Sequence, residues 1–253
     1  MKKLLIISLL GLIPFSLVAK DIKVCIDDDW FPYTFVKDGK AVGVHVDIVR
    51  KSIEDLGDSV EFDPLPWKRC LKLGKLGNYD AIMSASYKDD RAKFAFYPDD
   101  AKNNKRSKGR IDQVEHMLIV KSDDSYEFNN NWSTIPQPVG VGGLGSSITK
   151  TIEKKGLKTI ETNTKSGIFS MLMTNRVKSV ALNPILANDF STNGKFKGKL
   201  KINKIPLRSK SYHIIFSKKG KVNKIKREEI WNSLEKTRED TEFMVHTFKK
   251  YEK

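Results

Sequence analysis

Apolar and polar residues alternate along the chain with two periods, and these predict a series of strands and helices. DIKVCID, residues 21–27, has the pattern of a strand, and GVHVDIVRKSIEDLG, residues 43–57, has apolar residues at the spacing of an amphipathic helix. The same patterns predict a strand in SVEFDPLPW, a short helix in WKRCLKLGKLG and a strand in YDAIMSAS. Strands that alternate with helices indicate an α/β fold with a mostly parallel sheet.

A second alternating series begins after residue 110. VEHMLIVKS is predicted as a strand, and strands and helices then alternate through PVGVGG, SSITKTIEKKG, LKTIET, SGIFSMLMTNR, SVALN and PILANDF. KINKIPLRSKSYHIIFSKK returns as extended chain, and the C-terminal residues from 223 onwards are predicted to be helical. The repetition favours two lobes, each long enough to bury a core of its own.

The N-terminal residues follow a different pattern. MKKLLIISLLGLIPFSLVAK has Lys2 and Lys3 before an apolar run that is too short to span a bilayer comfortably. Residues 1–19 are therefore predicted to be a secretory signal peptide that is cleaved near Ala19, and the mature chain is predicted to be exported.

Basic residues predominate along the whole chain, which has a formal net charge of +15. Loss of Lys2 and Lys3 with the signal peptide lowers this net charge to +13. The densest basic cluster, AKNNKRSKGR at residues 101–110, contains no aromatic residue that could stack on bases. A solvated loop is thus favoured over a nucleic-acid site, and no nucleic-acid partner is expected.

Cys25 and Cys70 are the two cysteines, and neither belongs to a C-x-x-C motif or lies near a histidine at metal-ligand spacing. Cys25 is in the first predicted strand, and Cys70 is in a helix that could pack beside it. An oxidising compartment favours a structural disulfide between them over two buried thiols. No metal site is predicted.

Residues 139–147, VGVGGLGSS, match the G-x-G-x-x-G spacing by which a strand-to-helix turn holds a dinucleotide, and Glu161 follows near the place of a ribose-binding acid. A lone match of this kind is weak evidence, and NAD is scarce outside the cytoplasm. The alternative is a turn whose backbone N–H groups, together with Ser146 and Ser147, receive a small anion at the start of a helix. No cofactor is expected.

IDDDWFPYTFVKDGKAVGVHVDIVRKSIEDLG followed by PWKRCLKLGKLGNYDAIMSASYKDDRAKFAFYP resembles the first lobe of the periplasmic solute-binding proteins of polar amino-acid ABC transporters. The similarity continues through VGVGGLGSS, TNRVKSVALNPILANDF and YHIIFSKK. It implies a type II fold in which two α/β lobes, joined by two crossing segments, close over one ligand in the periplasm. Lobe 1 would comprise residues 20–110 and 211–253, and lobe 2 residues 111–210.

The resemblance also implies a ligand site. Arg91 matches the family's carboxylate-binding arginine; alternatively, it pairs with Asp89 or Asp90 on the surface while Ser86 caps a helical turn. The resemblance gives Trp30 and Trp67 as aromatic walls of the cleft, although Trp67 could equally be a core residue. The expected ligand-binding residues are Asp27, Trp30, Trp67, Ser84, Ser86, Arg91, Gly145, Ser146, Ser147 and Asn183.

Asn183 departs from the family pattern, because many amino-acid binders have an aspartate there for the ligand's ammonium group. An amide oxygen can accept a hydrogen bond but lacks the attraction of a carboxylate. A carboxylate ligand without a cationic amine therefore becomes as plausible as an ordinary α-amino acid.

Three classes of function are compatible with these features. The resemblance favours a monomeric receptor that has no catalytic residues, binds a small polar carboxylate solute and delivers it to an inner-membrane ABC permease. An enzyme similar to the cyclohexadienyl dehydratases of the same fold, or a ligand sensor for chemotaxis or signalling, is the alternative. A nucleotide-dependent or nucleic-acid-binding protein is supported only by the glycines and the charge.

Overall fold

The main predicted strands and helices occur in the predicted order, and the structure adds three short antiparallel strands between the first predicted strand and the first predicted helix. The computed structural model describes residues 21–164 and 167–251, and the predicted signal peptide lies outside these residues. The strands are β1 (Asp21–Asp27), β2 (Asp29–Trp30), β3 (Thr34–Lys37), β4 (Lys40–Val42), β5 (Ser59–Leu65), β6 (Ala81–Ser86), β7 (Ala95–Phe96), β8 (Asp112–Lys121), β9 (Val139–Gly142), β10 (Thr159–Thr162), β11 (Ser179–Leu182) and β12 (Leu200–Ser217). The helices are α1 (Val44–Glu54), α2 (Trp67–Leu76), α3 (Asp89–Ala92), α4 (Ser147–Glu153), α5 (Gly167–Met173), α6 (Pro184–Thr192), α7 (Lys224–Glu239) and α8 (Thr241–Tyr251).

The main sheet has the strand order β10-β9-β11-β8-β12-β6-β1-β5, and β7 pairs with β12. At one end β5, β1 and β6 are parallel, and at the other end β10, β9 and β11 are parallel. The antiparallel strands β8 and β12 join the two halves. The predicted parallel arrangement is therefore found within each half, and β8 and β12 provide the two crossing segments of a two-lobe fold.

Buried apolar residues form separate clusters on the two sides of the crossing strands. One cluster packs α1, α7 and α8 against the first half of the sheet and contains Ile48, Phe216 and Leu234. A second cluster packs α5 and α6 against β8 and β11 and contains Phe169 and Leu182. Each half of the sheet thus has a core of its own.

Cys25 and Cys70 form a disulfide, as their positions favoured. Both residues are fully buried, and they pack with Ile82 and Ile215 in a small cluster. The bond connects β1 to α2. Because Asp27 ends β1 and Trp67 begins α2, the disulfide holds together two elements that reach the cleft between the lobes.

Candidate functional site

A cavity lies between the two halves of the sheet, at the ends of β1, β6, β9 and β11. About 560 Å³ of space free of protein atoms lies in and in front of it, with the open solvent at its mouth included. The lining residues are Asp27, Trp30, Trp67, Ser84, Ser86, Arg91, His116, Val141, Gly142, Gly143, Ser146, Ser147, Ile148, Ala181, Leu182 and Tyr212. Eight of the ten residues expected from the sequence line this cavity; Gly145 and Asn183 are outside the lining.

Arg91 is buried, with 5% of its surface exposed, and is held by the end of β6. Its Nη1 donates to the Ser86 carbonyl oxygen at 2.9 Å, and its guanidinium carbon lies 5.0 Å from the centre of the Trp67 ring. Asp89 and Asp90 pair with lysines instead, and no side chain in the described part of the chain forms an ion pair with Arg91. The surface-pairing alternative is therefore wrong, and the remaining guanidinium donors can receive a carboxylate.

Serine hydroxyls connect the two lobes across the cavity. Ser86 at the end of β6 donates to Ser147 Oγ at the start of α4, with an oxygen-to-oxygen distance of 2.9 Å. Ser84 Oγ lies 2.9 Å from His45 Nδ1, and its backbone has a φ of 64°, which is uncommon for a residue other than glycine. Lys88 Nζ donates to the Ser146 carbonyl oxygen at 3.4 Å. The lobes are thus in direct contact around a polar wall of the cavity.

Aromatic rings form the apolar wall. Trp30 lies between Tyr33 and Tyr212, with its centroid 4.8 Å from each ring, and it belongs both to the lobe core and to the cavity lining. Trp67 is half-buried under the Arg91 guanidinium. These rings can cover the carbon skeleton of a ligand, and the stacked Arg91 cannot swing away easily.

The structure adds His116 and Tyr212, which the sequence did not single out, to the cavity lining. His116 is on β8 and Tyr212 on β12, and Arg208 pairs with His116 in the register of these strands. Burial, together with the charges of Arg208 and Lys210, lowers the pKa of His116 well below its ordinary value, so this imidazole is neutral near pH 7. No local motif marks these residues, because strand pairing across the crossing segments brings them together.

The glycine-rich turn at residues 139–147 binds an anionic side chain of the protein itself. The Glu161 carboxylate accepts hydrogen bonds from the Gly145 N–H at 3.2 Å and from Thr149 Oγ1 at 2.6 Å. The Gly145 N–H therefore donates to a side chain of its own lobe, and the Glu161 carboxylate stabilises the conformation of this turn. Gly140, which opens the motif, allows close packing, since a Cβ there would lie 2.6 Å from Ile168 Cγ1.

Asn183 is fully buried at the N-terminus of α6, and its Oδ1 accepts a hydrogen bond from the Leu186 N–H at 2.8 Å. This is a helix cap, a role that asparagine and aspartate both perform well. The amide oxygen is engaged in the cap, and the neighbouring Leu182 lines the cavity instead. Among the described residues, no cluster of histidine, cysteine and acidic side chains is arranged to hold a metal ion.

His213 lies on β12 opposite Ala85 of β6, and we expect it to make the protein sensitive to acid. Burial lowers its pKa from 6.5 to about 4, although its Nδ1 contacts the Ala85 carbonyl oxygen at 3.2 Å. Unfolding then takes up a proton below pH 6.5, so stability falls as the pH decreases from 6.5 to about 4. His213 alone is expected to cost about 3 kcal/mol by pH 4. Urea unfolding at several pH values should show a flatter profile for His213→Gln, whereas the exposed-residue variant His246→Gln should retain the original slope.

Comparisons with known proteins agree with this architecture. Residues 22–177 match the sequence model of the bacterial extracellular solute-binding proteins, family 3. No curated protein matches the chain significantly. Among solved structures, a mutant of ArgBP from T. maritima superposes with a TM-score of 0.71 at 18% identity, over 91% of this chain and 94% of that chain.

Two further structures have the same fold. A histidine kinase sensor domain with similarity to periplasmic binding proteins gives a TM-score of 0.74 at 17% identity, over 92% of this chain and 96% of that one. The ancestral amino-acid-binding protein AncCDT-1, a precursor of cyclohexadienyl dehydratase, gives 0.69 at 16% identity, also over 92% and 96%. The fold is therefore that of the type II periplasmic binding proteins, and it occurs in proteins with different roles.

Proposed function

Because the chain belongs to the bacterial extracellular solute-binding proteins of family 3, we propose that it captures a small polar carboxylate solute and delivers it to an ABC permease. Arg91 carries this proposal: it is buried in the wall of the interlobe cavity, and no carboxylate of the described residues pairs with it. A buried, unpaired guanidinium is costly, and a ligand carboxylate would offset that cost.

Lobe closure is the mechanism that we propose. Arg91, Ser84 and Ser86 belong to one lobe, and Ser146 and Ser147 to the other, so a ligand in the cavity touches both. Contacts made only in the closed arrangement shift the population towards it, and the permease can recognise that arrangement. Binding and release account for this role without a catalytic residue.

The proposed compartment is the periplasm. The disulfide between Cys25 and Cys70 is typical of an oxidising environment. In the described part of the chain, every helix is too short or too polar to cross a membrane. N-terminal sequencing of the exported protein would test cleavage near Ala19, and an N-terminus that begins at Met1 would contradict it.

The test of function begins with the protein as purified. Mass spectrometry after denaturation would identify a retained solute, and thermal shift measurements would then rank amino acids, organic acids and prephenate. We expect at least one carboxylate solute to raise the Tm in a concentration-dependent way. Turnover of prephenate would favour a dehydratase, whereas stabilisation by NADH alone would contradict the proposed site.

A further inference from the structure

Four cationic side chains near the serine-lined wall of the cavity interact with one another electrostatically. They are Lys88, Arg91, Arg208 and Lys210, and among residues 21–164 and 167–251 none of the ion pairs includes any of them. Asp27 is the one acidic residue among the described residues of the lining. The site thus has more positive charge than a single ligand carboxylate would neutralise.

Arg208 reaches the cavity wall through Ser147. Its Nη2 donates to Ser147 Oγ at 2.8 Å and its Nη1 donates to Thr151 Oγ1 at 3.1 Å, while its buried Nε has no partner among the described atoms. Arg208 also interacts with the cavity residue Tyr212. The second guanidinium is therefore fixed directly behind the lining.

Hydrogen bonds connect the two guanidinium groups. Arg91 Nη1 lies 3.5 Å from Ser86 Oγ, Ser86 Oγ donates to Ser147 Oγ at 2.9 Å, and Arg208 Nη2 donates to the same oxygen at 2.8 Å. Ser147 Oγ accepts twice, so its own proton remains for a ligand acceptor. One small molecule can span this row, with one end at Arg91 and the other at Ser147.

The closeness of these cations affects the pKa values of the two lysines. Burial and the nearby arginines lower the pKa of Lys88 and of Lys210 to about 8. Burial also lowers the pKa of Arg208 from its ordinary value. The cavity therefore favours negative charge beyond what Arg91 alone requires.

We propose that the cavity selects a small solute with two anionic groups, one held by Arg91 and the second by the Ser147 hydroxyl with the Arg208 charge behind it. A dicarboxylate is the simplest member of this class. This inference rests on the proposed function, and it specifies in addition that the ligand carries two negative charges. A monocarboxylate leaves Arg208 uncompensated, and a ligand ammonium at the same place would be repelled by Arg208, Lys88 and Lys210.

Matched ligand pairs test this proposal. Succinate and succinamate differ by one negative charge at similar size, as do glutamate and glutamine. Isothermal titration calorimetry of the full mature chain is expected to give a Kd about tenfold or more lower for the dicarboxylate in at least one pair. Arg208→Gln should lower dicarboxylate affinity about tenfold and change half-amide affinity less than threefold. Lys204→Gln, an exposed residue on the same strand, should leave both affinities unchanged.

The outcomes separate this inference from the proposed function. If the half-amides bind as tightly as the dicarboxylates, the preference for two anionic groups is wrong, although the receptor function stands. If no carboxylate solute of any charge binds, the proposed function itself fails. If Arg208→Gln lowers the affinity for the dicarboxylate and for the half-amide equally, Arg208 has a purely structural role and does not select the second anionic group. The preference of the unmodified protein decides the ligand class even if that variant does not fold.

Discussion

Replacement of Arg91 by alanine is expected to weaken carboxylate binding by about a hundredfold or more. The ligand carboxylate would lose its charge-assisted hydrogen bonds in a site closed to water, a change that typically costs 2–5 kcal/mol or roughly thirty- to several-thousand-fold in affinity. The ligand-free protein is expected to keep its Tm or to gain stability, since Arg91 is buried beside other cations without a carboxylate partner. Calorimetry with the retained solute measures the first effect, and thermal unfolding without ligand measures the second.

Two variants control this experiment. Arg91→Lys retains the charge but loses the planar fork, so we expect an intermediate loss of affinity. Arg69→Ala removes an exposed arginine from the nearby helix α2 and should leave affinity unchanged. Unaltered affinity in Arg91→Ala would exclude Arg91 from the binding site. A large fall in ligand-free Tm would instead indicate that Arg91 stabilises the lobe.

The order of elements could be predicted because it depends on local pattern. The strand pattern of DIKVCID and the helical spacing over GVHVDIVRKSIEDLG predict these elements, and the structure places β1 and α1 there. The second half of β1, from Val24 to Asp27, is buried on both faces. The resemblance supplied the two-lobe arrangement. Ser84, Ser86 and Arg91 could be grouped from the sequence because they lie within eight residues of one another, at and just after the end of β6.

Residues that come together through strand pairing could not be predicted. His116 and Arg208 are opposite each other because β8 and β12 pair with irregularities on both sides of Pro206, and no sequence rule gives that register. In the sequence, Arg208 is one of several basic residues in KINKIPLRSKSYHIIFSKK. Its importance depends on burial and on the absence of a carboxylate partner among the described residues, and both are properties of the folded chain.

Capping roles were also hidden in the sequence. Glu161 has the position of a ribose-binding acid by spacing, yet its carboxylate binds the turn around Gly145 and Thr149. Asn183 occupies a position of ligand recognition by resemblance, yet its oxygen caps α6. Asn183 accepts from a backbone N–H in the first turn of α6, whereas the nearest donor to Glu161 is the Thr149 hydroxyl. In both cases donors of the chain itself occupy oxygens that the sequence suggested for a ligand.

Loss of the disulfide should have the largest effect on stability. Cys25 and Cys70 are 45 residues apart in sequence, and closing a loop of that size is expected to stabilise the folded state by about 4 kcal/mol in the chain-entropy model. For a chain of this size the Tm should fall by roughly 10 °C. Cys25→Ala/Cys70→Ala is the suitable variant, since serine would bury two hydroxyls in an apolar cluster.

Urea unfolding of the wild type with and without reductant measures this contribution, and the double variant should be insensitive to reductant. Ligand affinity should decrease as well. The disulfide fastens α2, which begins with Trp67, to the strand that ends at Asp27. Without the bond α2 would be held less firmly, and Arg91 would lose the Trp67 ring on which it stacks. We expect a loss of affinity smaller than that of Arg91→Ala. Equal unfolding midpoints in oxidised and reduced protein would show that the disulfide does not stabilise the lobe, and unchanged affinity would separate its stabilising role from binding.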